Sequence, residues 1–226
     1  MRDILTAQSP RLQEFISPEL DRALSREANS TRYSEGQLVH SRGESAPGLS
    51  IVRKGAVRVG NVGVDGSYLT TSILGVGQCF GEFTLFASLP RTHDATAVGD
   101  TVVDQVSGIH FMRLFDQEPE LSKALLTISL RRTHGLLEFV DDMRRLSLPV
   151  RVAKFLLTNT TTAKLTVLQE EIAFTFAVFR VSMGKLLKKL ELAGLIKCGY
   201  GQIRIVDRGL LAQWIKERLV ITPLED

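Results

Sequence analysis

The feature that most limits the fold of this chain is a helical repeat in residues 119–146. Apolar and small side chains recur there at intervals of three and four residues, the spacing of one face of an α-helix. They are Leu126, Ser129, Thr133, Leu136, Val140 and Met143. A helix of this length extends roughly 40 Å, which is more than a small domain needs to cover its own sheet. The repeat therefore separates the chain into a part before the helix and a part after it.

A helix of this kind favours pairing with a second copy of the chain across a two-fold axis. We expect a homodimer whose interface includes Leu126, Leu136, Val140 and Met143. The alternative is a long helix that packs on the sheet of its own chain.

Before the helix, residues 33–110 have the pattern of an all-β domain. This segment holds twelve of the eighteen glycines, with short β-rich runs between them. Many short strands joined by tight turns are typical of a sandwich or a barrel. We predict separate strands at residues 49–54 and 56–59, followed by a hairpin turn at Asp65-Gly66, because Asp-Gly tolerates positive φ angles.

Residues upstream of this domain fit two short amphipathic helices. Leu12, Phe15 and Ile16 would lie on the first, and residues 20–28 on the second. The pair Ser17-Pro18 supplies a capping residue and a proline in the first turn, and so predicts the start of the second helix.

After the long helix, the pattern changes to short helices followed by a hairpin. Ser147 and Pro149 predict the start of a new helix, and the polar residues 158–162 predict the loop that follows it. Residues 168–176 and 179–192 fit two helices joined by a two-residue turn. Two β-rich segments on either side of residues 199–201 then predict a hairpin with a glycine-rich tip, and a final helix at residues 210–219 carries Trp214. This is the order of a winged helix-turn-helix.

Charge is distributed unevenly along the chain. The net charge is +3, but residues 148–226 carry twelve Lys or Arg against seven Asp or Glu. A basic C-terminal third favours binding to a polyanion, although a chance fluctuation would give the same balance. On the second helix of the pair, we expect five polar side chains to project outward: Arg180, Ser182, Lys185, Lys188 and Lys189.

These residues suit double-stranded DNA. Arginine matches the O6 and N7 atoms of guanine bidentately, so Arg180 is the candidate base contact. The lysines suit phosphates, and Tyr200 at the hairpin tip is a further candidate contact. The alternative is a solvated helix face, which is what lysine runs usually form.

Several other functions lack support in the sequence. No nucleophile–histidine–acid set, phosphate-binding loop or metal cluster is recognisable, so we expect no enzyme and no metal. No run of eighteen apolar residues predicts a membrane span. The N-terminal segment lacks the features of a signal peptide, and Cys79 and Cys198 predict two unrelated thiols, so we expect a cytoplasmic protein.

Two sets of motifs in this order carry a resemblance to a known family. In the first part they are Gly55, Gly66, Gly77 and the residues 80–82, 85–86 and 90–92; in the second they are residues 171–173, Arg180 and residues 186–188, 190–191 and 194–196. The chain resembles the cyclic-AMP receptor protein and fumarate–nitrate regulator (CRP/FNR) family of bacterial transcription regulators.

The resemblance implies an α+β protein with three parts. A cyclic-nucleotide-binding-like β-roll (jelly roll) is expected in residues 1–118, a dimerisation helix in 119–146 and a winged helix-turn-helix in 147–226. It also places Gly55 in a turn between two strands, and it implies three partners: DNA, a second copy of the chain and RNA polymerase.

The resemblance further implies an effector site formed by Gly81, Glu82, Arg91 and Thr92. In relatives that bind cyclic AMP, the carboxylate takes the ribose hydroxyl and the guanidinium pairs with the cyclic phosphate. Here His93 stands where a small residue is usual. On the long helix, Leu136 and Leu137 replace a Thr-Ser pair that contacts adenine.

We therefore expect a small anionic effector other than cyclic AMP, with a cyclic nucleotide kept as an alternative. A second alternative is that Arg91 and Glu82 form an internal ion pair that shapes the loop without any ligand, so that the protein is regulated by its abundance.

The recognition helix also departs from the family pattern. Phe179 stands in place of a small polar residue, and Val181 in place of a glutamate that accepts a hydrogen bond from cytosine. We expect an operator that differs from the usual one, with thymine methyl groups as candidate contacts. The alternative is a sensing or interaction module whose winged helix no longer binds DNA.

Overall fold

The computed structural model describes residues 10–63, 68–159, 164–166, 169–176 and 178–219. Within them, the chain forms two compact units that divide after Gly135. The first unit is an antiparallel sheet with helices, and the second is mainly helical with a small sheet.

Among the described residues, six strands form the sheet of the first unit. They are β1 (Ala28–Tyr33), β2 (Leu38–His40), β3 (Gly48–Val62), β4 (Tyr68–Gly75), β5 (Cys79–Phe80) and β6 (Asp94–Ser107). The main order is β1-β6-β3-β4, with β2 paired to β6 and β5 paired to β3, and every pairing is antiparallel. We call these six strands, together with the segments that connect them, the roll.

The expectation of many short strands was wrong for the two central ones. β3 and β6 are 15 and 14 residues long and pair along most of their length. Gly55 does not separate two strands: it lies inside β3 with φ +72°, where the register with β6 shifts. A side chain there would collide with the buried hydroxyl of Thr101. The glycine is thus the point where a continuous strand bends, and the Asp65-Gly66 turn lies outside the described residues.

The N-terminal segment differs in part from its prediction. The first predicted helix is only a three-residue 3₁₀ turn, Leu12–Glu14. The second is α1 (Pro18–Glu27), and Ser17 caps it by accepting a hydrogen bond from the backbone N–H of Leu20. Ala28 begins β1, because it has extended backbone angles and pairs with Val106.

Buried ion pairs fix α1 to the roll. The Arg53 guanidinium donates to Asp21 of α1 at 2.8 Å and to Asp104 of β6 at 2.7 Å. Asp104 is almost fully buried and also accepts from Ser25. Leu20 and Leu24 of α1 complete this attachment through the apolar core.

Three further helices follow β5 in the chain, the first of them between β5 and β6 and the other two after β6. They are α2 (Glu82–Phe86), α3 (Gly108–Gln117) and α4 (Pro119–Arg145). The long helix is confirmed as one continuous element, whereas α2 and α3 were not predicted. In its first part α4 buries Leu121, Ala124, Leu125 and Ile128 in the core of the first unit. The four predicted interface residues, Leu126, Leu136, Val140 and Met143, are exposed.

Apart from one additional strand, the second unit has the predicted order of elements. They are α5 (Leu148–Asn159), β7 (Lys164–Thr166), α6 (Gln169–Thr175), α7 (Arg180–Leu192), β8 (Ile196–Gly199), β9 (Gln202–Ile205) and α8 (Arg208–Lys216). The helix α5 continues through Thr158 and Asn159, which were expected in a loop. The strand β7 was not predicted; it joins the hairpin as the third strand, in the order β7-β9-β8.

Candidate functional site

The helix α7 is held by one buried face. Met183, Leu186, Leu187 and Leu190 lie in the core of the second unit. Since these residues recur every three or four positions, they fix the rotation of the helix about its axis. The side chains that face outward include Arg180, Val181, Lys185 and Lys188, and we call this exposed side of α7 the reading face.

The N-terminus of α7 is unusually apolar. Phe179 is the N-cap residue and makes no side-chain capping hydrogen bond. Its side chain is 86% exposed and that of Val181 is 69% exposed. Arg180 and Ser182, on either side of Val181, are exposed as well. The first turn therefore presents apolar and polar side chains together.

The C-terminal half of α7 is tied to the wing. Glu191 accepts a hydrogen bond from the backbone N–H of Cys198 in β8 and another from the Lys188 ammonium, both at 2.9 Å. The first bond and then Lys188 lower the pKa of the Glu191 carboxyl, and Glu191 in turn raises the pKa of Lys188. The position of Lys188 is thus set by a local ion pair. In the described part of the chain, no ion pair joins Arg180, Lys185 or Lys189 to an acid.

The wing is the hairpin formed by β8 and β9. Ile196 pairs with Ile205, and Gly199 pairs with Gln202. Gly201 at the tip has φ +61°, and the Tyr200 side chain is fully exposed. An exposed aromatic side chain at a hairpin tip can extend toward a partner without disturbing the core.

In the roll, the predicted effector residues begin at a strained turn. Gly81 has φ +112° and is the N-cap residue of α2. A Cβ atom there would overlap the carbonyl oxygen of Gly48 and approach the Arg91 guanidinium within 3.2 Å. Only glycine fits these backbone angles without strain. The Thr84 hydroxyl donates to the Gly81 carbonyl at 2.9 Å and stabilises the turn.

The alternative of an internal ion pair between Arg91 and Glu82 is wrong, because the carboxylate within 4.0 Å of Arg91 is that of Glu44, and Glu82 pairs with a different arginine. The Arg132 guanidinium of α4 donates to the Glu82 carboxylate at 2.5 Å and to the carbonyl oxygen of Cys79 at 2.7 Å. Both side chains of the pair are largely buried. Arg132 was not among the residues predicted from the sequence. A signal was available, because the pair Arg131-Arg132 interrupts the apolar side of α4.

Arg91 is buried but poorly satisfied. It is 8% exposed, and among the described residues its Nε atom has no hydrogen-bond partner and the carboxylate that lies within 4.0 Å of it is that of Glu44. Burial lowers the pKa of the Arg91 guanidinium. A buried donor without a partner is costly, and such donors are typically satisfied by a ligand, an ion or water.

A histidine lies close to this arginine. His40 Nε2 is 2.8 Å from the Ser50 hydroxyl, and its Nδ1 is 3.5 Å from the Glu44 carboxylate. Burial, followed by the positive charge of Arg91, lowers the pKa of His40 to about 4. His40 is therefore neutral near pH 7 and can act as a hydrogen-bond donor or acceptor.

The remaining predicted effector residues lie in different environments. The Thr92 hydroxyl is exposed and 2.7 Å from His93 Nδ1, and this contact occupies one of its hydrogen-bonding directions. Leu136 and Leu137 are exposed on α4. They belong to the second unit, whereas Gly81, Glu82, Arg91 and Thr92 belong to the first.

The described residues give little support for a nucleophilic cysteine, a metal site or a membrane-spanning helix. Burial raises the pKa of the Cys79 thiol to about 12, so it is not a nucleophile at neutral pH. Among these residues, no cluster of three or more His, Cys, Asp or Glu side chains is placed to hold a metal ion. None of the described helices has the length and apolarity needed to cross a membrane.

Comparison with known proteins agrees with both units. Residues 30–118 match the cyclic nucleotide-binding domain family, and residues 150–214 match the Crp-like helix-turn-helix domain family. The chain is 27% identical over 210 residues to a CRP-like cAMP-activated global transcriptional regulator of Mycobacterium tuberculosis, covering 88% of this chain and 93% of that protein. It is 28% identical to the transcriptional regulator LdrP of Thermus thermophilus, covering 80% and 93%.

Solved structures show the same fold. A CooA mutant from Carboxydothermus hydrogenoformans superposes with a TM-score of 0.76 at 19% identity, covering 94% of this chain and 99% of that one. CprK in complex with OCPA superposes with a TM-score of 0.71 at 16% identity, covering 88% and 94%.

The two units define a transcription regulator with a roll of the cyclic-nucleotide-binding type and a DNA-binding winged helix. With both domains in this order, the chain belongs to the CRP/FNR family of transcription regulators. The α+β fold predicted from the sequence is confirmed, and the relatives found are regulators rather than enzymes.

Proposed function

We propose that this protein is a homodimeric regulator that binds a specific DNA sequence and is controlled through the roll by a small anionic effector other than cyclic AMP. The observation that carries the DNA-binding part is the reading face. A helix fixed by a buried apolar stripe presents Arg180 and three lysines to solvent at the position where a winged helix-turn-helix contacts the major groove.

Arg180 is proposed as a base contact and the other polar residues as contacts to the phosphate backbone. The latter are Ser182, Lys185, Lys188, Lys189 and Tyr200. Arg180 lies in the first turn of α7 and is exposed, which suits a bidentate contact with guanine. The lysines are cations on an exposed helix and suit phosphates, where a point charge is sufficient.

Selection from a random duplex library tests this proposal. A preferred operator should emerge, and Arg180→Ala should weaken its binding by about 1–3 kcal/mol while relaxing the preference at one base pair. Arg22→Ala, in an exposed ion pair on α1, is the matched control and should bind like the wild type. Affinity that does not depend on sequence and is unchanged by Arg180→Ala would contradict specific recognition.

One observation supports an effector other than cyclic AMP. Leucines at positions 136 and 137 cannot donate a hydrogen bond to a purine. In contrast, Arg91 is buried with an unsatisfied Nε atom and has neutral His40 nearby, which suits a small anion.

Calorimetry can decide between these ligands. Cyclic nucleotides and small organic anions would be titrated into the wild type and into Arg91→Gln. We expect an anion to bind the wild type, with the affinity lost in the variant. A ligand controls DNA binding only if it has different affinities for two conformational states of the protein. Each ligand that binds must therefore also change the affinity of the protein for its operator. Full DNA affinity of the bare protein, with no binder found, would instead favour control by abundance.

The dimer and the remaining partners are also proposals. Regulators of this family act as dimers, and the exposed apolar side chains of α4 support the same arrangement here. Val140→Glu should shift sedimentation toward the monomer, whereas Arg22→Ala should not. We also propose the domain limits 1–118, 119–146 and 147–226, RNA polymerase as the protein partner, and action in the cytoplasm, where bacterial DNA is found.

A second candidate function is a sensing or interaction module that does not bind DNA. The exposed Phe179 and Val181 favour it, because apolar surface can also bind proteins. Isolation of the protein from cells with a protein partner but no enriched genomic DNA would support this candidate.

A further inference from the structure

The central residue of the reading face is apolar. Successive residues of an α-helix are separated by about 100° around its axis. On that basis, Val181 lies roughly 170° from the centre of the buried stripe formed by Met183, Leu186, Leu187 and Leu190. Arg180 and Ser182 lie on either side of Val181 around the helix axis, closer to the buried stripe. Of the residues in the first turn, Val181 is therefore the one that points most directly away from the core.

The neighbours of Val181 indicate the chemistry of its partner. Lys185 and Lys188 follow on the same side of α7, and Arg180 precedes it. This surface is therefore a basic face with an apolar centre at its N-terminal end, extended by the exposed ring of Phe179. A polyanion with an apolar group in a groove matches both properties, whereas an apolar protein surface would leave the cations without partners.

The bases differ in whether they offer such a group. In the major groove, A, G and C present only hydrogen-bond donors and acceptors that a side chain can use, whereas T also presents the methyl group on C5. Valine has no donor or acceptor, so it cannot distinguish bases by hydrogen bonds. Its isopropyl group gains free energy only where it covers apolar surface.

We propose that Val181 recognises a thymine methyl group next to the guanine contacted by Arg180, and that Phe179 contacts a second thymine methyl at the edge of the same half-site. This inference rests on the proposed DNA-binding function and specifies which bases it selects. The operator half-site then combines a guanine with adjacent thymine, and Val181 and Phe179 are specificity-determining residues.

Removal of single methyl groups from the DNA tests the inference. After an operator has been selected, each thymine is replaced in turn by deoxyuridine, which lacks only the 5-methyl group. Wild-type affinity should fall about fourfold at the Val181 position, the value expected for one buried methyl group. Val181→Ala should bind the normal operator about as weakly and should no longer respond to deoxyuridine there. Phe179→Ala should lose the response at the second position.

A gain of affinity provides the reverse test. Changing the critical thymine to cytosine, with its partner base, should weaken binding, and 5-methylcytosine at that position should restore part of the loss. Leu192→Ala is the matched control, since Leu192 is 78% exposed on the same side of α7 but eleven residues further along. It should respond to deoxyuridine like the wild type. Circular dichroism would show that the variants, all at exposed positions, remain folded.

The outcomes separate the two proposals. An operator that needs Arg180 but is indifferent to every thymine methyl would overturn this inference and leave specific DNA binding intact. A Val181→Ala variant that keeps the full response to deoxyuridine would overturn it in the same way. An absence of any sequence preference, with Arg180→Ala binding like the wild type, would overturn both.

Discussion

The roll and the winged helix use charged side chains in opposite ways. In the roll, Arg91, Glu82 and Asp104 are buried or nearly so, and the last two are paired with arginines of the same unit. On α7 the cations are exposed on a helix whose other side is apolar core. A buried charge needs a partner inside the protein or a bound ligand, whereas an exposed cation stays hydrated until a partner arrives. Substitutions in the roll should therefore change stability, and those on α7 should change binding.

The two units can be observed separately. Trp214 is the only tryptophan of the chain and packs against the core of the second unit, so its fluorescence reports on the winged helix. Far-UV circular dichroism reports on both units together. Denaturant unfolding followed by both signals can thus assign each stability change to a unit.

The largest expected effect compares two glycines with positive φ. Gly81→Ala should destabilise the roll by about 4 kcal/mol, because the new methyl group adds overlap with the Gly48 carbonyl to backbone strain. Gly194→Ala should destabilise the winged helix by only about 1–2 kcal/mol, since among the described residues no atom beyond the adjacent ones in the chain lies within 4 Å of its Cβ position. Chemical denaturation would measure both values, and equal losses would contradict the crowding inferred at Gly81.

The second prediction concerns the pH dependence of the free energy of unfolding. The folded state lowers the pKa of His40 from 6.5 to about 4, so the unfolded chain binds more protons between these values. The free energy of unfolding should therefore decrease as pH falls from 6.5 to 4, by on the order of 3 kcal/mol from this residue. His40→Gln should reduce this slope. His134→Gln, at an exposed histidine of α4, is the control, and a slope that is the same in all three proteins would exclude His40 as its source.

The third prediction compares two ion pairs. Arg132→Met should destabilise the first unit by about 2 kcal/mol, because it leaves the largely buried Glu82 without its partner. The double variant Arg132→Met with Glu82→Gln should recover part of this loss. Lys188→Met removes an exposed pair and should leave the free energy of unfolding nearly unchanged. A loss of stability in Lys188→Met as large as that in Arg132→Met would contradict the difference expected between a buried and an exposed ion pair.

The smallest effect is expected at the tip of the wing. Tyr200→Ala should leave the free energy of unfolding within about 0.5 kcal/mol of the wild type, since the side chain is fully exposed. If Tyr200 contacts the DNA backbone, operator affinity should nevertheless fall for all sequences alike. Binding measured against both the operator and a scrambled duplex would show this, and unchanged affinity for both would exclude Tyr200 from the interface.

Local patterns predicted the winged helix better than the roll. The limits of α7 and the glycine after it follow from short-range helix signals, and the structure places α7 and Gly194 as expected. The roll depends on pairing between strands distant in sequence, and such pairing is not visible in a local pattern. As a result, β3 was divided at Gly55, and the helices α2 and α3 were missed.

The candidate sites also differ in how far the sequence predicted them. The exposure of Arg180, Lys185 and Lys189 followed from helical spacing, because one apolar stripe determines which residues face outward. The pairing of Glu82 did not follow, since Glu82 and Arg132 are fifty residues apart and meet only when α4 packs against the roll. The sequence also suggested Arg91 for an anion but could not show that its Nε atom is buried without a partner.

The order of the domains, the long helix and the exposed polar side chains of α7 thus follow from the amino-acid sequence alone, because all of these depend on residues within a few turns of one another. The internal partners of the buried charges and the path of the two long strands depend instead on tertiary packing. This is because burial brings distant residues together, and each buried charge then needs a partner or a ligand. For α7, the helical period already implied its exposed side, and the packing of the core established that Val181 lies near the centre of that side.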